Sequence, residues 1–139
     1  MARDLHNNIA VRRCIDPQSV STNTAIVSQI IDRAGYETCE FLITSGPIAS
    51  GTAVFTATLE HGDSATLADT SAITDPSSLL LGTLAGASFT FSSPNSQFRL
   101  GYIGGKRYVR LTITTTSNAA AALIAALAVL GAPAKAPTP

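Results

Sequence analysis

The sequence predicts an all-β fold, an antiparallel β-sandwich or jelly roll of about eight strands in a single domain. Apolar and polar residues alternate with a period of two along most of the chain, which is typical of half-buried strands. Clusters of Gly, Pro, Asn and Asp separate these alternating runs, as turns do. No segment has the spacing of a βαβ unit, and 139 residues fit one domain.

The first predicted strand covers residues 9–15, and we expect Asp16 and Pro17 to close it. A second strand covers residues 24–31, which are rich in β-branched and apolar side chains.

The next two strands, residues 37–44 and 53–60, alternate most clearly, and Gly46 with Pro47 is expected to end the first of them. Period-two geometry sends alternate side chains to opposite faces of a sheet. The residues expected in the core are Cys39, Phe41, Ile43, Phe55, Ala57 and Leu59. The residues expected to face out on the first of these strands are Thr38, Glu40, Leu42 and Thr44.

Residues 61–80 form the longest irregular stretch. A helical turn is expected within residues 64–73, stopped by Asp75 and Pro76. A connection of this length is typical of a lid, a binding loop or a crossover between sheets.

Further strands are predicted at residues 87–91, 97–103 and 107–114, with a turn at residues 93–95. The pair Gly104-Gly105 stands between two alternating runs and predicts a tight hairpin, because primed turns need the positive φ that Gly allows. In the last strand the inward residues are expected to be Val109, Leu111 and Ile113.

Residues 119–130 are ambiguous, because their residue types favour a helix while no polar face recurs at helical period. We expect a buried strand over residues 122–130, and a buried helix packed on the sheet is the alternative. The predicted domain is residues 9–131, preceded by an arm (1–8) and followed by a Pro/Ala-rich tail (132–139).

The charges, apolar runs and cysteines of the chain restrict which partners and surroundings are expected for it. Nine basic residues balance nine acidic ones, so the chain lacks the basic footprint of a general nucleic-acid binder. The longest apolar run has 12 residues, whereas a membrane-spanning helix needs about 20. Cys14 and Cys39 are interpreted as two buried thiols of a protein made in a reducing cytoplasm, and a bridge between neighbouring strands stays open.

Signals for catalysis, metals and cofactors are weak, and the sequence predicts a non-enzyme without a cofactor. His6 lies in the arm, and the segment from Glu60 to Asp63 could offer two or three ligands without a second cluster to complete a metal site. The stretch 101–106 resembles a phosphate loop only loosely and fits a hairpin turn better. No nucleophile elbow or zinc-protease motif is present.

Arginine is the more informative residue, since seven of the nine basic residues are Arg. Arg is enriched at protein interfaces, and a Tyr beside an Arg on an outward strand face is typical of an interface hot spot. A solvated, salt-bridged strand face explains the same residues equally well. The candidate interface residues are Arg12, Arg13, Lys106, Arg107, Tyr108 and Arg110.

Four segments carry a family resemblance: residues 8–13, 24–36, 86–91 and 101–113. Over residues 8–131 the chain resembles the capsid cement (decoration) proteins of tailed bacteriophages, in particular a jelly-roll cement protein of a short-tailed phage. The segment 63–81 departs from that pattern.

The resemblance implies a structural virion protein on the outer surface of the capsid. Such a protein clamps neighbouring subunits of the major capsid protein and acts as a homodimer, with no direct contact to nucleic acid or membrane. The arm and the tail would then reach neighbouring subunits and become ordered on contact.

Two other functions are weighed against this one. A glycan- or receptor-binding jelly-roll module of a phage tail or head fibre would need an exposed Trp or Tyr platform, and the chain has no Trp and only Tyr36, Tyr102 and Tyr108. A small hydrolase on a cupin-like roll would need clustered histidines, and the two present are far apart in sequence.

Overall fold

The computed structural model describes residues 3–75 and 77–135. Within them a 3-10 helix covers His6–Asn8 and a single-turn helix, α1, covers Leu84–Ala87. The strands of the described part are β1 (Ile9–Val20), β2 (Ile26–Val27), β3 (Ile31–Asp32), β4 (Tyr36–Ile48), β5 (Val54–Gly62), β6 (Ser71–Ile73), β7 (Leu80–Leu81), β8 (Phe89–Thr90), β9 (Gln97–Tyr102), β10 (Tyr108–Thr116) and β11 (Ala122–Pro133).

The strands form two antiparallel sheets that pack as a sandwich. The front sheet has the order β1-β11-β4-β9-β7, and the back sheet has the order β2-β10-β5-β6, with β3 also paired to β10 and β8 to β5. Eight main strands remain when β2 and β3 are counted as one interrupted strand and β7 and β8 are treated as short additions. The front order is then first, eighth, third, sixth, and the back order is second, seventh, fourth, fifth. This interleaving is a jelly roll, and it confirms the predicted fold class.

The Ala-rich segment is a strand. β11 lies between β1 and β4 and is hydrogen-bonded along both sides, with Leu127 opposite Arg13 on one neighbour and opposite Leu42 on the other. Tertiary pairing therefore overrides the helical propensity of its alanines. The predicted strand over residues 122–130 is confirmed, and it continues to Pro133, two residues beyond the expected domain boundary.

Two predicted strand ends are wrong, because β1 continues through Asp16 and Pro17 and β4 continues through Gly46 and Pro47. The ladder between β1 and β11 shifts register between Ile15 and Gln18, so Pro17 falls within a bulge of an edge strand. Proline is tolerated in such places because no ladder partner needs its missing N–H. The β4–β11 ladder likewise shifts register beside Pro47.

The strand predicted over residues 24–31 is split into β2 and β3. Between them Ser28 replaces a regular ladder contact: its backbone N–H donates to the carbonyl of Leu111 at 2.9 Å, and its hydroxyl accepts the Leu111 N–H at 3.0 Å. The next residue, Gln29, donates its N–H to the Cys14 carbonyl at 2.9 Å. This segment therefore ties the edge of the front sheet to the back sheet.

The segment from Gly104 to Gly105 is not a hairpin turn, because β9 pairs in the front sheet and β10 in the back sheet. It is a connection that crosses from one sheet to the other.

Residues 64–73, where a helical turn is expected, contain no helix: the N–H of Leu67 donates to the Ser64 carbonyl at 2.9 Å and that of Thr70 to the Leu67 carbonyl at 3.2 Å, and β6 follows these two turns. The single-turn helix occurs later, where the Thr83 hydroxyl accepts the Gly86 N–H and the Asp75 carboxylate accepts the N–H groups of Leu84 and Ala85. Pro76, the other half of the expected stop, lies outside the described residues.

The core lies between the sheets. Every residue predicted to face inward on β4, β5 and β10 is at most 2% exposed. Phe89 stacks on Phe55 of the back sheet and on Phe98 of the front sheet, with ring centroids 4.8 Å apart in both pairs. This column of three rings joins the two sheets through the interior.

The ends of the chain are described in part. In the arm, Asp4 accepts hydrogen bonds from the backbone and side chain of Asn7, and in the tail Ala134 donates its N–H to Gly35 at 2.8 Å. Residues 1–2 of the predicted arm and 136–139 of the predicted tail lie outside the described residues. Among the described residues, no helix has the length and apolar character needed to span a bilayer.

Candidate functional site

Arg12 and Arg13 are adjacent in β1 but serve different surfaces, because successive strand side chains point to opposite faces. Arg13 lies on the outer face of the front sheet, where it forms an exposed ion pair with Asp16 at 3.1 Å. The Arg12 guanidinium lies 6.0 Å from the ring centroid of Tyr36 at one end of the sandwich. The two candidate residues therefore do not form one patch.

The other four candidates lie together at the start of β10, and each of their cations faces a carboxylate. Lys106 binds Asp63 at 2.8 Å, and Arg107 donates two hydrogen bonds of 2.9 Å to Asp32. Arg110 pairs with Glu60, and the Arg107 guanidinium lies 5.0 Å from the ring centroid of Tyr108. We call this group the crossover end. Its residues are Asp32, Glu60, Asp63, Lys106, Arg107, Tyr108 and Arg110.

Ion pairing shifts the titration of the crossover end. The hydrogen bond from Arg107 lowers the pKa of Asp32, and the hydrogen bond from Lys106 lowers the pKa of Asp63. Conversely, the pKa of Lys106 and that of Arg107 are raised by the same carboxylates. These pairs are solvent-exposed, so they add little to stability. A partner would have to exchange with carboxylates of the same chain, and the interface role of the six residues stays a prediction.

A buried arginine supports the crossover end from below. Arg33 is only 7% exposed, and its guanidinium lies 4.7 Å from the ring centroid of Tyr102. It donates to the carbonyls of Gly104 at 3.0 Å and Glu37 at 2.8 Å, and also to the carbonyl of Lys106. The cation thus holds the crossing connection by its backbone.

His61 and Tyr102 complete this support. The Nδ1 atom of His61 lies 2.7 Å from the Tyr102 hydroxyl, which also accepts the N–H of Lys106 at 3.2 Å. Burial, and then the charge of Lys106, lower the pKa of His61, while burial raises the pKa of Tyr102. Both groups are therefore favoured in their neutral forms, and they position the connection that carries Lys106.

A second surface, of which the sequence predicts only Arg13 as an interface residue, lies on the outer face of the front sheet. It is a groove of about 570 Å³ whose accessible surface is mostly apolar, although Asp16, Gln97 and Phe98 also line it. We call it the front groove. Its principal residues are Arg13, Leu42, Thr44, Arg99, Ala125 and Leu127.

Register places four of these residues in one row across the sheet. Arg13 is opposite Leu127, Leu127 is opposite Leu42, and Leu42 is opposite Arg99. The row therefore has two leucines in its centre and an arginine at each end.

The neighbouring rows extend the apolar surface. Val11 is 52% exposed and Leu81 57% exposed, and they occupy the two edges of the next row. Leu123, Leu127 and Leu42 are 43%, 47% and 41% exposed on the same sheet. Large exposed apolar patches mark sites of interaction, so this face is the better candidate for contact with a partner.

Glu40 is the acidic residue of that next row. Its carboxylate lies over Gly101, where an added Cβ would come within 2.7 Å of Oε2. Burial raises the pKa of Glu40, and Arg99 opposes that shift. Within the described residues Arg99 forms no ion pair or side-chain hydrogen bond, and its charge acts on Glu40.

The sequence did carry a signal for this groove. The segment that forms β11 has no polar face, and this pattern predicts a buried strand. Period-two alternation predicts that Leu42 faces out, but it does not predict which residue of the adjacent strand lies beside it. Only the register of β11 against β4 brings Leu42 and Leu127 together.

Among residues 3–75 and 77–135, no three His, Cys, Asp or Glu side chains are grouped as metal ligands. Cys14 and Cys39 are buried free thiols of the core. Burial raises the pKa of Cys14 to about 11 and that of Cys39 to about 12.

No protein-family model matches the chain, and no curated protein matches it in sequence. Solved structures with a similar fold include the CBM22-1-GH10 modules of the Clostridium thermocellum xylanase 10B, at 10% identity and TM-score 0.43. There the match covers 94% of this chain but only 27% of the xylanase chain.

Two further structures match over most of their own length. The CBM22-1 xylan-binding domain of Paenibacillus barcinonensis Xyn10C has 13% identity and TM-score 0.45, with 92% of this chain and 88% of that chain covered. The SPBc2 prophage-derived protein YomS has 9% identity and TM-score 0.46, with 88% and 92% covered. These are likenesses of fold.

Proposed function

We propose that the protein is a structural, non-enzymatic virion protein that binds the outside of a bacteriophage head. There it clamps neighbouring major capsid subunits, as a homodimer, and stabilises the mature capsid. The observation that carries the proposal is the front groove, an exposed aliphatic face with an arginine at each end. The resemblance of residues 8–131 to phage cement proteins supports the same function.

The scaffold suits a clamp. The two sheets are joined by the column of Phe55, Phe89 and Phe98 and by the contact between His61 and Tyr102, so the protein resists shear between its faces. A capsid presents many identical sites in a fixed lattice. Contacts that are individually weak therefore become strong when one dimer engages several subunits at once.

Glycan binding by a phage fibre module is the alternative function, and the front groove supports it less well. Sugar sites use exposed aromatic rings, whereas the centre of this groove is formed by Leu42, Leu127 and Ala125. Tyr102 is fully buried, and Tyr36 and Tyr108 lie at the end of the sandwich.

The test is reconstitution on expanded, DNA-filled heads that lack the protein. Wild-type protein should co-sediment with these heads and raise the temperature at which they release DNA. L127Q should bind at least about tenfold more weakly, since it removes a leucine from the contact. V27Q is the matched control, because Val27 is 54% exposed on the back sheet.

Failure of the wild-type protein to bind heads, with no gain in their resistance, would contradict the proposal. Specific binding to a glycan array by a protein that ignores heads would favour the alternative.

A further inference from the structure

We propose that the front groove receives an extended strand of a capsid subunit that carries two carboxylates four residues apart, with an aliphatic side chain midway between them. This inference rests on the proposed function and specifies the chemistry of the partner. It is argued from the spacing, the charges and the size of the groove.

Spacing sets the pattern of the partner. Arg13 and Arg99 are three strands apart in one row, and strands in a sheet are about 4.8 Å apart, so their backbones are about 14 Å apart. Four residues of an extended chain span about 13 Å, and residues i, i+2 and i+4 share one face. A strand lying across the row therefore places its first and third inward side chains at the arginines and its second over Leu42 and Leu127.

Such a crossing is an established packing arrangement, since β-strands pack face to face either nearly aligned or at about a right angle. The partner strand keeps its backbone hydrogen bonds within its own sheet and contributes only side chains to the groove. Its aliphatic side chain is buried against two leucines that are 41% and 47% exposed in the free protein.

Charge determines the ends of the pattern. Arg99 has no ion pair within the described residues, and Arg13 pairs only with the exposed Asp16. Side chains of this exposed pair are 68% and 53% accessible, so exchanging Asp16 for a partner carboxylate is nearly neutral in free energy. Each guanidinium can donate two parallel hydrogen bonds to one carboxylate, so an acidic side chain is favoured over a neutral acceptor at each end of the groove.

A second copy of this chain fits the groove less well. In a front-to-front pair related by an axis along the strands, Arg13 of one copy would meet Arg99 of the other, which is repulsive. The face is about 20 Å wide and about 20 Å long, or about 400 Å². A stable protein interface needs about 800 Å² from each partner, so this face suits one contact among several on a lattice.

Carbodiimide crosslinking on reconstituted heads tests the inference. This reagent joins amines to carboxylates, and R13K and R99K each place a reactive amine at one end of the groove. Wild-type protein serves as the control for crosslinks from the native Lys106 and Lys135. R12K is the matched control, because Arg12 neighbours Arg13 on β1 but lies towards Tyr36. Crosslinked peptides are identified by mass spectrometry.

The expected result is that R13K and R99K crosslink to two acidic residues of one capsid-protein segment, four positions apart, while R12K does not. The inference is overturned, even though wild-type protein binds heads, if the crosslinks lead to unrelated segments or to another copy of this chain. It is also overturned if the variants form no crosslinks that wild-type protein does not form. If wild-type protein does not bind heads at all, the proposed function fails first, so the two failures are distinguishable.

Discussion

The Nδ1 atom of His61 lies 2.7 Å from the hydroxyl of Tyr102, and the two residues belong to opposite sheets. His61 is on β5 of the back sheet, and Tyr102 ends β9 of the front sheet. The same hydroxyl accepts the N–H of Lys106, so one polar contact fixes both the sandwich and the connection that crosses it.

This contact predicts a pH dependence of stability. Burial, together with Lys106, holds the pKa of His61 below its ordinary value of 6.5, and Asp63 opposes this shift. The unfolded chain therefore binds a proton more readily, and stability is lost as pH falls from 6.5 through the folded-state pKa. Urea unfolding of H61Q should show a flatter dependence than wild type between about pH 7.5 and about pH 5.

The control for this prediction is H6Q, because His6 is exposed in the 3-10 helix. H6Q should keep the wild-type slope. Equal slopes for wild type and H61Q would show that His61 is not held neutral by the fold.

The two neighbouring glycines of the crossing connection should respond differently to alanine. A Cβ on Gly104 would lie 2.6 Å from the Cζ atom of Tyr102, whereas a Cβ on Gly105 would have no atom within 4 Å. We expect G104A to lower the free energy of unfolding by about 1–3 kcal/mol, as overpacking does, and G105A to change it little. Chemical denaturation measures both, and equal effects would contradict the described loop.

Arg33 should matter more to stability than any exposed arginine. R33M removes the donors to three backbone carbonyls, two of them in the crossing connection, and should cost about 2–4 kcal/mol. R107M breaks an exposed pair with Asp32 and should have a much smaller effect. A change in R33M no larger than that in R107M would show that the buried cation does not hold the loop.

The two thiols should be unreactive in the native protein. Cys14 and Cys39 are 1% and 2% exposed, and burial raises the pKa of each well above that of a free thiol. Since the thiolate is the reactive form, a thiol-specific chromogenic reagent at about pH 8 should label neither until denaturant is added. Rapid labelling of either residue under native conditions would contradict this description of the core.

Local periodicity predicted the faces of individual strands well. Val109, Leu111 and Ile113 are fully buried as expected, because a period of two assigns faces without reference to the rest of the chain. The strand character of β11 was also predictable, since no polar face accompanied its helical propensity.

Features set by long-range pairing were not predictable in this way. A Gly-Gly pair serves a hairpin or a crossing between sheets equally well, and only strand pairing decides between them. Pro17 is tolerated because β1 is an edge strand with a bulge, which sequence alone does not reveal. The front groove exists because register aligns Leu42 with Leu127.

Image reconstruction of heads decorated with the purified protein shows directly whether and how the protein clamps the capsid. We expect added density on the outside of the capsid at junctions between major capsid subunits, with the front sheet facing the shell. Heads incubated with the protein that show no added density would contradict the proposed function. Density in which the front groove faces solvent, while another surface contacts the capsid, would also contradict it.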